Sequence, residues 1–208
     1  LNIDYSTWAE QNRGDIDRYG NRAIWEDNAA DYFRVYKRSG TSWSQSTTIA
    51  PSNTSGRGPA SCDENMVRVA LSDISNSSAG VTIWYRNPSG DTFALEQTIT
   101  VDNSGCNISM NYAGDRLMIT DKTAGDIEIW TRSGTTWTQQ QKLTASNSAT
   151  NTNFGHGVHL MSDDTVIIGA FSDDAKGGDA GAAYLFQRTG DTWSEIKIIY
   201  PSDIGAND

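Results

Sequence analysis

Three acidic residues of this 208-residue chain share one short segment and are well placed to bind a cation. Asp173, Asp174 and Asp179 lie in the segment 172–181, which also contains three glycines. Calcium takes roughly six to eight oxygen ligands, and glycines allow a loop to wrap around an ion. Alternatively, an aspartate here caps the loop by accepting bonds from backbone N–H groups. Calcium is the only cofactor that the sequence indicates.

A second candidate for ligand binding is the tripeptide Arg13, Gly14 and Asp15. Integrins recognise this sequence in their ligands, and recognition motifs lie on exposed loops. We expect the tripeptide to lie in an exposed linker, although such a triplet also occurs by chance.

The residue types needed for catalysis are sparse. His156 and His159 are the only histidines, and their spacing on a predicted strand directs them to opposite faces. No Gly-x-Ser-x-Gly motif is present, and Asp163 and Asp164 are neighbours in a predicted turn. We therefore predict no catalytic residue and a protein that is not an enzyme.

Two cysteines and three sequons bear on the cellular location. Cys62 and Cys106 form either one disulfide or two buried free thiols. The acceptor triplets for N-glycosylation begin at Asn53, Asn76 and Asn107. Because the chain opens at Leu1 without an initiator Met, we expect a processed product or a piece of a longer chain. These features favour an extracellular or cell-surface protein.

The charge of the chain restricts its partners. Sixteen basic and 26 acidic residues give a formal charge of −10, and the basic residues form no block. Nucleic acids bind mainly through Lys and Arg, so neither nucleic acid nor an anionic membrane surface is an expected partner. No apolar run approaches the roughly 20 residues of a membrane span, so we expect no membrane insertion.

Four segments of the chain repeat one strand–turn–strand pattern that ends on an aromatic residue. The final aromatic residues of the four copies are Trp43, Phe93, Trp137 and Trp193. Their spacings of 50, 44 and 56 residues average 150/3 = 50, a length typical of a four-stranded propeller blade. Glycines in the turns, at positions 40, 90, 134 and 190, suit tight hairpins.

Each hairpin follows a second pair of short apolar runs, so four strands make up each repeat. We predict an all-β protein, a β-propeller of four repeats at 19–52, 62–103, 106–147 and 154–203, with an all-β sandwich as the alternative. Residues 1–18 form an extra outer strand and linker in this prediction, because Thr7 to Glu10 match Thr192 to Glu195. A fragment of a larger propeller, a four-bladed ring with a spare strand, and strand addition to a neighbouring protomer all fit this excess strand.

Further positions recur in every repeat. An aspartate precedes each predicted third strand, at 27, 73, 121 and 173. The first strands are predicted to open at Tyr19, Cys62, Cys106 and Phe154, which would place the two cysteines at equivalent positions. The arginines at 38, 86, 132 and 188 are predicted to form an exposed rim that pairs with acidic residues and adds little stability. The repeated aromatic residues are predicted mainly to pack, with sugar stacking as the alternative.

The fourth copy resembles the FG-GAP repeat family, which includes the integrin α-chain propeller. Phe154-Gly155 stands at the family's Phe-Gly, and Gly169-Ala170 at its Gly-Ala-Pro, with Phe171 in place of the proline. The resemblance implies a propeller of extracellular type. Integrin-type repeats often bind calcium through an Asp-x-Asp-x-Asp-Gly loop, but the turns at 112–115 and 162–165 are too short for it. The resemblance therefore does not extend to metal binding.

Two functions fit these features. The first is a non-enzymatic recognition or adhesion module that binds a glycan or an extracellular protein through propeller loops. The second is a structural repeat protein that assembles into oligomers or filaments through strand or blade completion between chains, making a homo-oligomer the expected state.

Overall fold

The computed structural model describes residues 14–27, 32–51, 57–73, 80–101, 107–121, 125–147 and 153–202. These residues form sixteen strands in four antiparallel sheets of four, and none of them lies in an α-helix. Within each sheet the strands are neighbours in chain order. The predicted all-β fold of four four-stranded repeats is confirmed.

The first two sheets are numbered in chain order. The first sheet contains β1 (Gly14–Ile16), β2 (Arg22–Asp27), β3 (Tyr32–Ser39) and β4 (Ser42–Ile49). The second contains β5 (Arg57–Cys62), β6 (Arg68–Asp73), β7 (Gly80–Asn87) and β8 (Thr92–Thr100).

The last two sheets follow the same order. The third sheet contains β9 (Ile108–Met110), β10 (Arg116–Asp121), β11 (Asp126–Ser133) and β12 (Thr136–Leu143). The fourth contains β13 (Phe154–Ser162), β14 (Thr165–Ala170), β15 (Ala182–Thr189) and β16 (Thr192–Ile199).

The four sheets share one irregularity that fixes their equivalence. In every sheet the register between the third and fourth strands shifts once, at Val35/Tyr36, Ile83/Trp84, Ile129/Trp130 and Leu185/Phe186. A β-bulge of this kind bends and twists the strand that carries it. The bulge recurs at the same point of each hairpin, so residues of different sheets can be matched by their pairing.

The chain divides into two compact units, residues 1–104 and 105–208. In the first unit, Ile24 and Val35 of the first sheet and Val69 and Leu71 of the second belong to one buried cluster. In the second unit, side chains of the third and fourth sheets form another cluster around Phe154. Each core thus lies between two neighbouring sheets, where alternate residues of both sheets leave water.

The first sheet begins earlier than the sequence predicts. The sequence predicts that residues 14–18 belong to an extra segment before the repeat at 19, but β1 pairs with β2 as the first strand of the first sheet. The outer strand predicted around Trp8 lies outside the described residues. The other sheets extend over 57–100, 108–143 and 154–199.

The predicted alignment of the first strands is wrong. Cys62 is the last residue of β5, Phe154 is the first of β13, and Tyr19 lies in the turn after β1. Register shifts between Arg57 and Ala60 and between Phe154 and Gly157 break the two-residue alternation on which that alignment depended. The aspartate alignment also differs, because Asp27, Asp73 and Asp121 end their strands whereas Asp173 lies beyond β14.

The outer hairpin turns need a residue with positive φ. Gly40, Gly134 and Gly190 adopt φ of 59°, 62° and 61°. In the second sheet Asp91, not the predicted Gly90, takes this conformation with φ of 54°. Aspartate tolerates the left-handed region better than most residues, and Asp91 is held there by an ion pair with Arg22 at 2.8 Å.

Arg86, Arg132 and Arg188 are half-buried and connect the two turns at one end of their sheets, which corrects the prediction of an exposed rim for these three. Arg38 is exposed, as predicted. Nε of Arg86 donates to the carbonyl of Met66 at 2.9 Å, and Nε of Arg132 donates to that of Gly114 at 2.8 Å. Arg132 also reaches the carbonyl of Gly134 in the outer turn, at 2.5 Å. Arg86 and Arg188 additionally pair with aspartates, as predicted. Because their main partners are turn carbonyls, these arginines satisfy backbone acceptors.

Candidate functional site

The Phe-Gly pair that opens β13 anchors the fourth sheet in its core. The Phe154 ring is buried and packs edge-on against the Tyr184 ring, with 5.1 Å between centroids and 88° between planes. Gly155 has φ of 87°, and a Cβ there would lie 2.9 Å from Cδ1 of Ile127 and 3.3 Å from Cβ of Thr120. Only glycine combines this conformation with so close a contact to the third sheet.

The Tyr184 hydroxyl leads from this core to a buried carboxylate. Asp173 is fully buried, and its carboxylate accepts a hydrogen bond from the Tyr184 hydroxyl. Nδ2 of Asn147 donates to the same carboxylate at 3.2 Å, and the backbone N–H of Ala175 donates at 2.9 Å. Burial, together with donation to Asp173, raises the pKa of Tyr184, so the phenol keeps its proton.

Asp173 fixes the β14–β15 loop, residues 171–181, with help from two further contacts. Oδ1 of Asp174 accepts a bond from the backbone N–H of Asp179 at 2.7 Å, and the N–H of Gly181 donates to the Asp173 carbonyl at 3.0 Å. A Cβ on Gly181, whose φ is 75°, would lie 3.1 Å from the Phe171 carbonyl. The loop is therefore held by its own backbone and by one buried anchor.

This fixed loop presents an aromatic pair to solvent. The Phe171 side chain is 55% exposed, and its ring meets the exposed His156 ring edge-on, with 4.7 Å between centroids. The His156 carbonyl accepts a hydrogen bond from the side-chain amide of Asn107, which directly precedes β9. We call Phe171, His156 and Asn107 the loop-end site. An apolar ring, an imidazole and an amide together offer stacking, donor and acceptor groups.

The candidate calcium site does not form among the described residues. Asp173, Asp174 and Asp179 all lie in the loop, but Asp173 is committed to Tyr184 and Asn147, and Asp174 caps Asp179. Among the described residues no group of three or more His, Cys, Asp or Glu side chains could hold a metal. The alternative, in which an aspartate caps the loop, accounts for the geometry.

The prediction that the tripeptide at 13–15 lies in an exposed linker is wrong for Gly14 and Asp15, the two residues of it that the structure describes. Gly14 and Asp15 belong to β1, and Asp15 accepts a bond from the backbone N–H of Cys62 at 2.8 Å. Arg13 lies outside the described residues. Asp15 is half-buried, and its carboxylate also accepts a bond from the backbone N–H of Ile16 at 2.8 Å.

Cys62 is a buried free thiol in the structure, and Cys106 lies outside the described residues. Because Cys62 ends a strand and Cys106 precedes one, the two are not equivalent positions. Of the predicted glycosylation sites, Asn53 and Asn76 are also outside the described residues. Asn107 is described, and its glycosylation stays a prediction.

The aromatic residues of the repeat divide into two pairs. Trp137 and Trp193 are buried, which confirms the predicted packing role for them, whereas Trp43 and Phe93 are half-buried. Sequence reasoning missed the loop-end site. The available signal was Phe171, an aromatic residue at a position where the FG-GAP pattern has proline.

A family comparison identifies the type of repeat in the second half of the chain. Residues 137–186 match the FG-GAP repeat, which confirms the resemblance over 50 of the 208 residues. No curated protein matches the chain. Among the described residues no helix is long and apolar enough to span a membrane.

Solved structures confirm the β-propeller fold. A protein from Lactobacillus plantarum has 14% identity and a TM-score of 0.66, and the match covers 89% of this chain and 53% of that one. The WD40 repeats of RRP9 have 9% identity and a TM-score of 0.63, with coverage of 88% and 50%. A Bacteroides fragilis protein described as a candidate 6-phosphogluconolactonase has 13% identity and a TM-score of 0.56, with coverage of 64% and 38%. This chain therefore spans about half or less of the length of these structures.

Proposed function

We propose that this protein is a non-enzymatic, extracellular or cell-surface recognition module that binds a glycan or a protein through the loop-end site. The observation that supports it is the pair of exposed rings, Phe171 and His156, on a loop anchored by the buried Asp173. Anchored loops on a rigid sheet are common positions for binding residues.

The physical argument rests on preorganisation. An exposed Phe171 side chain loses its contact with water when a ligand covers it, and each buried Å² contributes roughly 25 cal/mol. Since Asp173, Asp174 and Gly181 already fix the loop, little conformational entropy remains to be lost on binding. Aromatic rings also stack on the apolar faces of sugar rings and on protein side chains.

The FG-GAP match supports the same interpretation, since it covers the strands that position this loop. The surface charge of −10 favours neutral or cationic ligands over polyanions. The likeness to a candidate 6-phosphogluconolactonase shows the fold alone and adds no argument for that activity.

The test is binding of the purified chain to an array of glycans and extracellular matrix proteins. Phe171→Ala should weaken binding of the captured ligand at least about tenfold, which corresponds to roughly 1.4 kcal/mol. The matched control is Met161→Ala, because Met161 is 54% exposed on the same sheet but lies beside the β13–β14 turn, at the other end of that hairpin. This control should bind like the wild type.

Two results would contradict the proposal. One is the absence of binding to every member of the array by a folded protein. The other is an equal loss of binding in Phe171→Ala and Met161→Ala, which would place the ligand away from the loop-end site.

A further inference from the structure

Two sheet faces carry apolar side chains at positions that are buried elsewhere in the fold. In each unit, we call the packed face of the earlier sheet its forward face and the packed face of the later sheet its backward face. The other face of each sheet takes the remaining name, and equivalent faces are matched by strand register. In the first unit the forward face of the first sheet packs on the backward face of the second. In the second unit the third and fourth sheets pack in the same way.

The backward face of the first sheet is defined by register. Ile16 pairs with Ala23, as Cys62 pairs with Val69 and Leu160 with Val166. Cys62 and Leu160 are buried, with 6% and 5% exposure, whereas Ile16 is 52% exposed.

Trp25 shows the same contrast two residues beyond Ala23. Its counterparts Leu71 and Ile168 are 2% and 0% exposed, whereas Trp25 is 39% exposed. The apolar residues of this face therefore occupy core positions but remain partly exposed among the described residues.

The forward face of the fourth sheet shows the same contrast in exposure. Ile199 pairs with Ala183 as Ile49 pairs with Phe33 and Leu143 with Ile127. Ile49 and Leu143 are each 2% exposed, but Ile199 is 43% exposed.

Two inner positions of the same face agree. Ile167 and Leu185 of the fourth sheet pair with each other and are half-buried. Their counterparts in the first sheet, Ile24 and Val35, are fully buried.

A polar contact also recurs between successive sheets. Oδ2 of Asp15 accepts a bond from the N–H of Cys62 at 2.8 Å, and Oγ of Ser109 accepts one from the N–H of Leu160 at 3.0 Å. Both acceptors stand one residue before the position equivalent to Ile16. His159 holds that place in the fourth sheet and is exposed.

We propose that the forward face of the fourth sheet in one copy of this chain packs against the backward face of the first sheet in a second copy. The contact repeats the packing of the first sheet on the second and of the third on the fourth. Ile199, Ile167 and Leu185 then cover Ile16 and Trp25. Such a head-to-tail contact joins different surfaces, so copies close into a ring or extend into a filament.

The lengths of the solved propellers support further sheets of this type beside these faces. The matches cover 89% of this chain and 53% of the Lactobacillus plantarum protein, and 88% of this chain and 50% of the RRP9 repeats, so those single chains contain about 1.7 (0.89/0.53) and 1.8 (0.88/0.50) times as many residues as this one. A second copy supplies sheets of the same repeat type. This inference does not depend on the proposed recognition function, because Phe171 lies on neither face.

The test uses charged substitutions and light scattering. The wild-type chain should give a discrete multiple of 22.7 kDa or a polymer, whereas Ile16→Lys and Ile199→Lys should each lower the mass. The control is Leu95→Lys. Leu95 lies on the second sheet, which already packs on the first sheet, and its side chain is nevertheless 51% exposed. Its assembly should match that of the wild type, and circular dichroism should show that all variants fold.

Mixing the two variants gives the sharpest readout. Ile16→Lys retains an intact forward face and Ile199→Lys an intact backward face, so an equimolar mixture should form a one-to-one dimer near twice 22.7 kDa. A monomeric wild type at every concentration would overturn the proposal, since a longer polypeptide or another partner would then cover these faces. Equal assembly by the wild type and both variants would overturn it as well.

Discussion

At the scale of single residues, the half-buried carboxylate of Asp15 bonds to two backbone groups and affects the neighbouring Cys62 thiol. Oδ2 accepts a bond from the N–H of Cys62, and Oδ1 accepts one from the N–H of Ile16, each at 2.8 Å. Burial raises the pKa of Asp15 despite these bonds. Burial, followed by the charge of Asp15, raises the pKa of the Cys62 thiol well above its usual value, so this thiol is neutral and unreactive at neutral pH.

The raised pKa of Asp15 predicts a specific pH dependence of stability. The folded state holds this proton more tightly than the unfolded state does, so titration of Asp15 adds to the free energy of unfolding as the pH falls through the folded pKa. The contribution is complete below the unfolded pKa. Denaturant unfolding at pH 7 and pH 4.5 should show that acidification favours the wild type over Asp15→Asn.

Asp91→Asn provides the control of opposite sign. Burial opposes ionisation of Asp91, but the bonds from Arg22 and Ser46 and the charges of Arg22 and Lys37 lower its pKa. Its stabilisation is present above the unfolded pKa and is lost as the pH falls through the folded pKa. The advantage of the wild type over Asp91→Asn should therefore shrink on acidification. Equal pH profiles for the two variants would contradict both assignments.

At this scale the sequence indicates residue types better than residue partners. The loop-capping alternative for Asp173 followed from its chemistry, because a short polar side chain readily bonds nearby backbone groups. Its bond to Tyr184 joins residues on different elements, and no local pattern encodes it. The exposure of Phe171 likewise depends on how the whole loop returns to β15.

At the scale of elements, the start of β13 shows why the Phe-Gly pair is needed. Phe154 fills the core beside Tyr184, and the next residue must turn with positive φ against Thr120 and Ile127. A side chain at Gly155 would strain the positive φ and collide with Ile127 and Thr120.

Gly155→Ala should therefore destabilise the second unit by about 2–4 kcal/mol, combining the left-handed backbone with overpacking. Gly157→Ala is the matched control on the same strand, since a Cβ there meets nothing within 4 Å and its φ is not positive. It should change stability by less than about 1 kcal/mol. Thermal unfolding of both variants measures the difference, and similar losses would contradict the packing described for Gly155.

The outer hairpins were predictable and the inner strands were not, for a physical reason. Turn glycines such as Gly40 and Gly134, followed by an aromatic residue, give a strong local signal. The inner strands β5 and β13 contain register shifts, so period-two alternation fails along them. The same failure misaligned Cys62 and Phe154.

At the scale of the whole molecule, exposed apolar residues concentrate on the first and fourth sheets. Of the ten large hydrophobic residues that are exposed among the described residues, seven lie on these two sheets or in their connections. They are Ile16, Tyr19, Trp25, Met161, Phe171, Ile196 and Ile199. Repeat proteins bury a continuous core by stacking neighbours, so an exposed apolar sheet face favours a further sheet beside it.

The periodic sequence predicted the four sheets because each repeat encodes its own hairpins. It could not identify which sheet faces remain exposed, since Trp25 and Leu71 are both apolar and occupy equivalent positions but are 39% and 2% exposed. The contrast in exposure between equivalent residues is visible only in the structure.

The native mass of the wild-type chain across a wide concentration range tests this account most directly. Packing between open sheet faces predicts species heavier than 22.7 kDa that dissociate on dilution or on introduction of Ile16→Lys. A single species of 22.7 kDa at all concentrations would contradict it and would show that the two faces are not joined by copies of this chain.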